Sequence, residues 1–191
     1  MQDRRILLGV TGCIAAYKAA DLASAMVQRG ADVITVMTHS ATEFVRPLTF
    51  ESLTRRPVYV RMFGRQDPFN PKHIALADWA EVMLVAPATA NLLGKVANGI
   101  GDDLLSTLIM SADGPVMFAP AMNSRMWANP VVSGNIARLR ELGYHFVEPE
   151  SGYLACGTIG IGRLASRDRI LDALAELLAK TPVKPKPEPK S

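Results

Sequence analysis

Short apolar runs alternate with helical segments along this 191-residue chain. That alternation predicts an α/β fold: a doubly wound, open parallel sheet with helices on both faces, flavodoxin- or Rossmann-like. Two observations strengthen it. The runs are apolar throughout rather than every second residue, as strands covered on both faces must be. The first strand, helix and second strand together have the length of a right-handed parallel crossover.

The elements follow in order. Ile6–Val10 is a buried strand closed by Thr11-Gly12. Ala15–Arg29 is an Ala-rich helix with Leu22, Ala25, Met26 and Arg29 at helical spacing, and Gly30 is its natural stop. Val33–Met37 is a second strand, and Glu81–Val85 a third, followed by Pro87 and a loop of small residues. Leu104–Ser111 reads as a helix and Val116–Ala119 as the fourth strand. Val131–Leu142 is a helix stopped by Gly143, His145–Val147 a fifth strand, and Arg169–Ala179 a last amphipathic helix. From Thr181 the composition changes. Four of the 13 prolines fall in the last eleven residues, interleaved with Lys184, Lys186, Glu188 and Lys190. This reads as an extended, solvated linker or tail. The expected division is therefore a folded domain over residues 1–180 and a tail over 181–191.

A hydrophobic content of 49% supplies a full core and excludes a disordered chain. A net charge of +3 and a pI near 9.0 first suggest a nucleic-acid or membrane partner. The tail, however, holds three Lys and one Glu, leaving 18 basic and 17 acidic residues in the body. The body is thus close to neutral, and neither partner is expected. Aromatics at 6% also disfavour base stacking. Two distant cysteines, Cys13 and Cys156, cannot staple a domain of this size, which points to the cytoplasm. No apolar run nears the ~20 residues that span a bilayer. Val10-Thr11-Gly12-Cys13 resembles a lipoprotein cleavage box, but the apolar stretch before it is shorter than the ~7–15 residues of a signal peptide.

In a doubly wound sheet, ligands bind at the C-terminal ends of the strands. After the first strand comes Gly9-Val-Thr-Gly12-Cys13-Ile14-Ala15-Ala16, running into a helix. Its glycines and the helix N–H groups suit either a phosphate or close helix–strand packing. The second strand ends in Thr38-His39-Ser40 rather than in the acid that a nicotinamide dinucleotide needs, so hydroxyls there favour a phosphate or flavin. After the third strand, Ala86-Pro87-Ala88-Thr89-Ala90-Asn91 lets a flat ring lie against backbone. Gly101-Asp102-Asp103 and Ser106 look like a capped helix start. After the fourth strand, Asn123 in Pro120-Ala121-Met122-Asn123 could hold a carboxylate, or cap a turn as loop asparagines commonly do. His73 precedes an apolar helical face and could move a proton, or serve as a surface residue. Cys156 sits among Gly152, Gly157, Gly160 and Gly162, a pattern fitting a flap that carries an acid or a hairpin with an idle thiol. Cys13, at a helix start, is open to a lowered pKa but reads as a small loop residue. His39 and His145 read as structural, and no metal-ligand spacing exists.

Taken together these segments resemble the flavin-dependent cysteine decarboxylase family. The likeness runs from about Arg5 to about Leu178 and rests on the Gly12–Lys18 loop, His73, Pro87–Asn91, Pro120–Asn123 with Met126-Trp127, and Ala155-Cys156-Gly157 with Gly160, Gly162 and Arg163. It is nearest to the branch that acts on 4′-phosphopantothenoyl-cysteine in coenzyme A biosynthesis. The resemblance implies FMN bound between subunits of a homotrimer, often built into a dodecamer. It implies oxidation of the substrate to a thioaldehyde, loss of CO₂ and re-reduction of the enethiol to 4′-phosphopantetheine. It assigns catalysis to His73 and Cys156 and the substrate to Asn123 and Tyr153. It assigns the cofactor to Gly12, Cys13, Ile14, Thr38, Ser40, Thr89, Ala90, Asn91, Leu92 and Ala121. Cys13 stands where the family usually has serine, and a glutamate usual near Ser166 is absent. Such domains are often fused to a phosphopantothenate–cysteine ligase, and the tail resembles that linker. The other readings of the same fold are a flavin prenyltransferase, a peptidyl-cysteine decarboxylase and a non-catalytic regulatory flavoprotein.

Overall fold

The computed structural model describes residues 1–63, 72–155 and 157–185. Its main sheet has six parallel strands: β1 Arg5–Val10, β2 Asp32–Met37, β3 Val58–Tyr59, β4 Val82–Ala88, β5 Val116–Pro120 and β6 His145–Phe146. Their spatial order is β3-β2-β1-β4-β5-β6, so the winding reverses between β1 and β4. The doubly wound fold expected from sequence is therefore present. Every residue of β1 and β4 is buried, which is why both read as unbroken apolar runs.

Alternate side chains of each central strand feed separate cores. Ile6, Leu8 and Val10 of β1, with Val82, Leu84 and Ala86 of β4, face α1 (Ala16–Gln28) and α8 (Arg167–Lys180). Leu7, Met83 and Val85 face the other way, onto α3 (Lys72–Trp79), α4 (Ala90–Ala97), α5 (Leu104–Met110) and α7 (Pro130–Glu141). Gly9 is required on that second face, because a Cβ there would lie 2.8 Å from the Leu105 side chain.

Helix ends obey the signals in the sequence. Gly30, at φ +82°, closes α1 with its N–H on the Val27 carbonyl and the Ala31 N–H on that of Met26. Gly143 ends α7 in the same way, through Arg140 and Leu139. Asp103 caps α5, its carboxylate accepting from the Ser106 N–H at 2.8 Å while the Ser106 hydroxyl accepts from the Asp103 N–H.

Several elements lie beyond the sequence reading. A 3₁₀ turn (His39–Glu43), α2 (Pro47–Thr54) and β3 join the second strand to α3. Residues 120–130 carry a single-turn helix α6 (Ser124–Trp127), and β7 (Glu150–Tyr153) pairs antiparallel with β8 (Ile159–Arg163) as a separate hairpin. Glu81, expected inside the third strand, precedes β4 with its side chain buried against Arg4 and Arg5. Residues 181–185 form neither helix nor strand, and they are held against the start of β1 instead of running free in solvent.

Phe118 on β5 is fully buried and packs at 5.5 Å from the Tyr144 ring and 5.4 Å from that of Phe146. Phe118→Ala should lower unfolding free energy by about 3–5 kcal/mol in denaturant titration. A loss below about 1 kcal/mol would show that this aromatic cluster does not hold β6 to the sheet.

Candidate functional site

A cleft of about 1040 Å³ opens at the C-terminal ends of the strands, where the winding reverses. Its floor is built around Thr11. The buried hydroxyl of Thr11 donates to the Pro87 carbonyl at 2.7 Å and accepts from the Thr89 N–H at 3.1 Å. The Thr11 N–H also donates to Pro87, at 3.3 Å. One side chain thus ties the loop after β1 to the start of α4.

Gly12 brings a third loop into register. A Cβ on Gly12 would lie 2.4 Å from the Ser40 Cβ and 2.7 Å from the Ser40 carbonyl carbon, so only glycine permits this approach. Thr38 caps the 3₁₀ turn that carries Ser40, accepting from the Ala41 N–H at 3.3 Å. Thr89 caps α4, accepting from the Leu92 N–H at 3.4 Å. All ten residues expected to meet the cofactor, Gly12, Cys13, Ile14, Thr38, Ser40, Thr89, Ala90, Asn91, Leu92 and Ala121, line the one cleft. The small residues give a planar group room against backbone, and the N-terminal turn of α1 offers N–H groups to an anion. The donor set and its shape fit a phosphorylated planar cofactor.

Cys13 is mostly buried, and burial pushes its thiol up. The N–H groups of Ala15 and Ala16 oppose that rise without overcoming it, so the helix start does not yield a reactive thiolate.

The second wall comes from the loop after β5 and from the hairpin. Asn123 caps α6, its side-chain oxygen accepting from the Arg125 N–H at 2.8 Å, and it also lines the cleft. Of the two roles the sequence left open for Asn123, the cap is present, and the residue also stands at the cleft. Gly162, at φ +141°, accepts at its carbonyl from the Met122 N–H at 2.9 Å, and a Cβ there would lie 2.1 Å from the Met122 oxygen. The hairpin is thereby joined to the Asn123 loop. Tyr153, 71% exposed, and Leu154, Ala155 and Arg163 form its cleft-facing part. Glu150, at the start of β7, accepts from the Ser166 N–H at 2.9 Å and so occupies the N-terminus of α8. That hydrogen bond, then Arg169, holds its carboxyl below the usual range. Cys156 lies outside the described residues.

His73 does not join this set. It is half-buried in the first turn of α3 and is absent from the cleft lining. Four charged side chains also line the cleft, Lys18, Lys95, Asp103 and Arg163, to none of which the sequence assigns a role in the site. Lys95 is neutralised by Asp102 at 2.7 Å and Asp103 at 3.2 Å. Lys18 and Arg163 have no ion-pair partner among the described residues; burial, then the nearby Arg163 charge, lowers the Lys18 pKa. Spacing could have flagged Lys18, one helical turn from the glycine loop. Nothing local flags the α4–α5 pair. Among the described residues, no three His, Cys, Asp or Glu side chains converge as a metal site, and no helix is long and apolar enough to cross a membrane.

A fold and cleft of this kind define a class, and the chain belongs to the flavoprotein family, whose model matches residues 1–179. Among similar proteins, a coenzyme A biosynthesis bifunctional protein CoaBC of Bacillus subtilis is 51% identical over 171 residues, covering 90% of this chain and 42% of that protein. The chain thus spans less than half of that relative. A probable phosphopantothenoylcysteine decarboxylase of Streptococcus mutans is 43% identical over 177 residues, covering 92% of this chain and 99% of that one. The solved structure of a PPC decarboxylase mutant complexed with pantothenoylaminoethenethiol superposes with a TM-score of 0.83 at 31% identity, covering 93% of this chain and all of that one.

Two substitutions test the floor. Thr11→Val leaves the Thr89 N–H without its acceptor and should lower stability by about 1–3 kcal/mol, read as a lower thermal midpoint. Gly12→Ala should force the two loops apart and abolish flavin retention, read as loss of visible absorbance in the purified protein, with the circular dichroism of the fold retained. Flavin retention equal to that of the unsubstituted protein would remove the first loop from the site.

Proposed function

We propose that the chain is the FMN-dependent decarboxylase domain that converts 4′-phosphopantothenoyl-cysteine to 4′-phosphopantetheine in coenzyme A biosynthesis. The observation that carries this reading is the two-walled cleft. One wall holds the flavoprotein loops; the other holds Asn123, Tyr153 and the hairpin, with Lys18 and Arg163 between them. Two cations without ion-pair partners suit a substrate that carries a phosphate and a carboxylate. A prenyltransferase has no use for a carboxylate contact at Asn123, and a regulatory flavoprotein needs none of this wall.

Gly12–Ile14, Ser40 and the start of α4 would hold FMN, which would supply reversible two-electron chemistry at the sulfur-bearing carbon, the source of the electron sink that a simple cysteine carboxylate lacks. The chain's own residues do the rest. Asn123, a neutral donor, holds the substrate carboxylate without opposing its loss as CO₂. Tyr153 and the hairpin exclude water from the enethiol. His73 handles the proton of the oxidation and decarboxylation steps, and Cys156 gives a proton to the enethiol as it is reduced. His73 lies off its own chain's cleft, which supports a site shared between copies of the chain. A homotrimer, with a dodecamer as its further assembly, is the arrangement proposed for that sharing. The domain itself comprises residues 1–180, with 181–191 as the linker to a fused ligase. The cytoplasm is its compartment.

Purified protein should be yellow and release CO₂ from 4′-phosphopantothenoyl-cysteine but leave a prenyl phosphate unchanged. Cys156→Ser should still release CO₂ while accumulating the enethiol, and His73→Asn should stall before CO₂ is lost, both followed by mass spectrometry. Normal turnover by Cys156→Ser, or a colourless protein that takes up no FMN, would overturn the assignment.

A further inference from the structure

At the end of the sheet opposite the cleft, Arg4, Arg5 and Glu81 form a buried cluster that the chemistry above does not use. The Glu81 side chain is 1% exposed and meets Arg4 Nε at 2.5 Å and Arg5 Nη2 at 3.4 Å. A carboxylate this buried needs charged partners, and one carboxylate shared by two guanidinium groups leaves most of their N–H donors unspent.

Those donors go to one stretch of main chain. Arg4 donates to the Leu178 carbonyl at 2.8 Å and to that of Thr181 at 2.9 Å. Arg5 donates to the carbonyls of Lys184 at 2.8 Å and Pro185 at 3.0 Å. Leu178 lies in the last turn of α8 and Thr181 is its C-cap, at the negative end of the helix dipole; the Leu178 carbonyl accepts from the Thr181 N–H at 3.2 Å as well as from Arg4. Pro182 and Pro185 cannot donate, so the segment after the helix presents carbonyls and few N–H groups. An extended proline-bearing strand recognised through its carbonyls is what two guanidinium forks can read. Lys184 adds a third hold, its Nζ lying 3.4 Å from the carbonyls of Ala77 and Asp78 and 3.6 Å from Asp113.

We propose that Arg4 and Arg5, joined through Glu81, are a clamp for the main chain leaving α8, so that the chain at Pro185 is held at the end of the sheet opposite the cleft. Strand β1 runs six residues from this clamp to the Thr11 loop, which at ~3.3 Å per residue sets the departure point about 20 Å from the cleft floor. A domain attached beyond residue 185 therefore starts from the end of the molecule remote from the cleft.

The test uses the full chain, ¹⁵N-labelled at valine. Val183 should tumble with the body in the unsubstituted protein, with an order parameter near ~0.8, and should fall below ~0.6 with a sharp random-coil signal in Arg5→Lys. That substitution keeps the charge facing Glu81 but removes the fork. If it fails to fold, as read by circular dichroism, the paired substitution Arg5→Met with Glu81→Gln removes both charges together and should free Val183 equally. A Val183 already mobile in the unsubstituted protein, or one that stays rigid in a folded variant, overturns the clamp. Flavin absorbance is expected to be unchanged in either variant, which separates this result from the behaviour of the cleft.

Discussion

The hydroxyl of Thr11 is the constraint on which the cleft depends. A parallel sheet that reverses its winding leaves the loops of its two central strands diverging to opposite faces, and something must keep their ends together. Here one buried hydroxyl bridges the Pro87 carbonyl and the Thr89 N–H. With that bridge in place, Gly12 can bring the Ser40 loop to within a distance no Cβ would allow. Three loops then present their small residues and N–H groups to one space. The chemistry of the site is therefore set by backbone approach on this side, and by side chains only on the other.

Electrostatics divide along the same line. The body carries almost no net charge, so the cleft cannot rely on a general positive field. Instead its cations are local. Lys95 is neutralised by two aspartates, whereas Lys18 and Arg163 both line the space and repel, an effect that Glu150 opposes at Lys18. Partial burial of Lys18 strengthens whatever anion it meets, because less water competes.

Sequence disclosed the fold where periodicity and punctuation agree. The Ala-rich first helix, the stops at Gly30 and Gly143 and the buried strands appear within a residue or two of expectation, except that the third strand runs three residues further, to Ala88. It failed where structure is short and held by tertiary contact: β3 is two residues at the sheet edge, and α6 is a single turn. The cofactor wall was legible because each strand end carries its own small-residue signal. Lys95 and Asp103 were not, since their meeting depends on how α4 packs against α5. Burial around Cys13 was equally invisible in one dimension, and it reverses the shift that a helix start alone would give. His73 shows the limit most plainly, because a motif fixes a residue's place in the chain and not the cleft it serves. The proline-rich tail shows the converse: its composition reads as solvated, yet two arginines 180 residues earlier bind its carbonyls.

The link between Gly162 and Met122 bears on how the hairpin can move. A lid swings when its root is a hinge, yet the root of this one is knitted to the loop that carries Asn123, with no room for even a methyl group between them. The hairpin and the wall that carries Asn123 are in effect a single jaw. Entry to the cleft cannot be a door opening at β8, because any such swing would carry Asn123 with it and dismantle the wall it is meant to uncover.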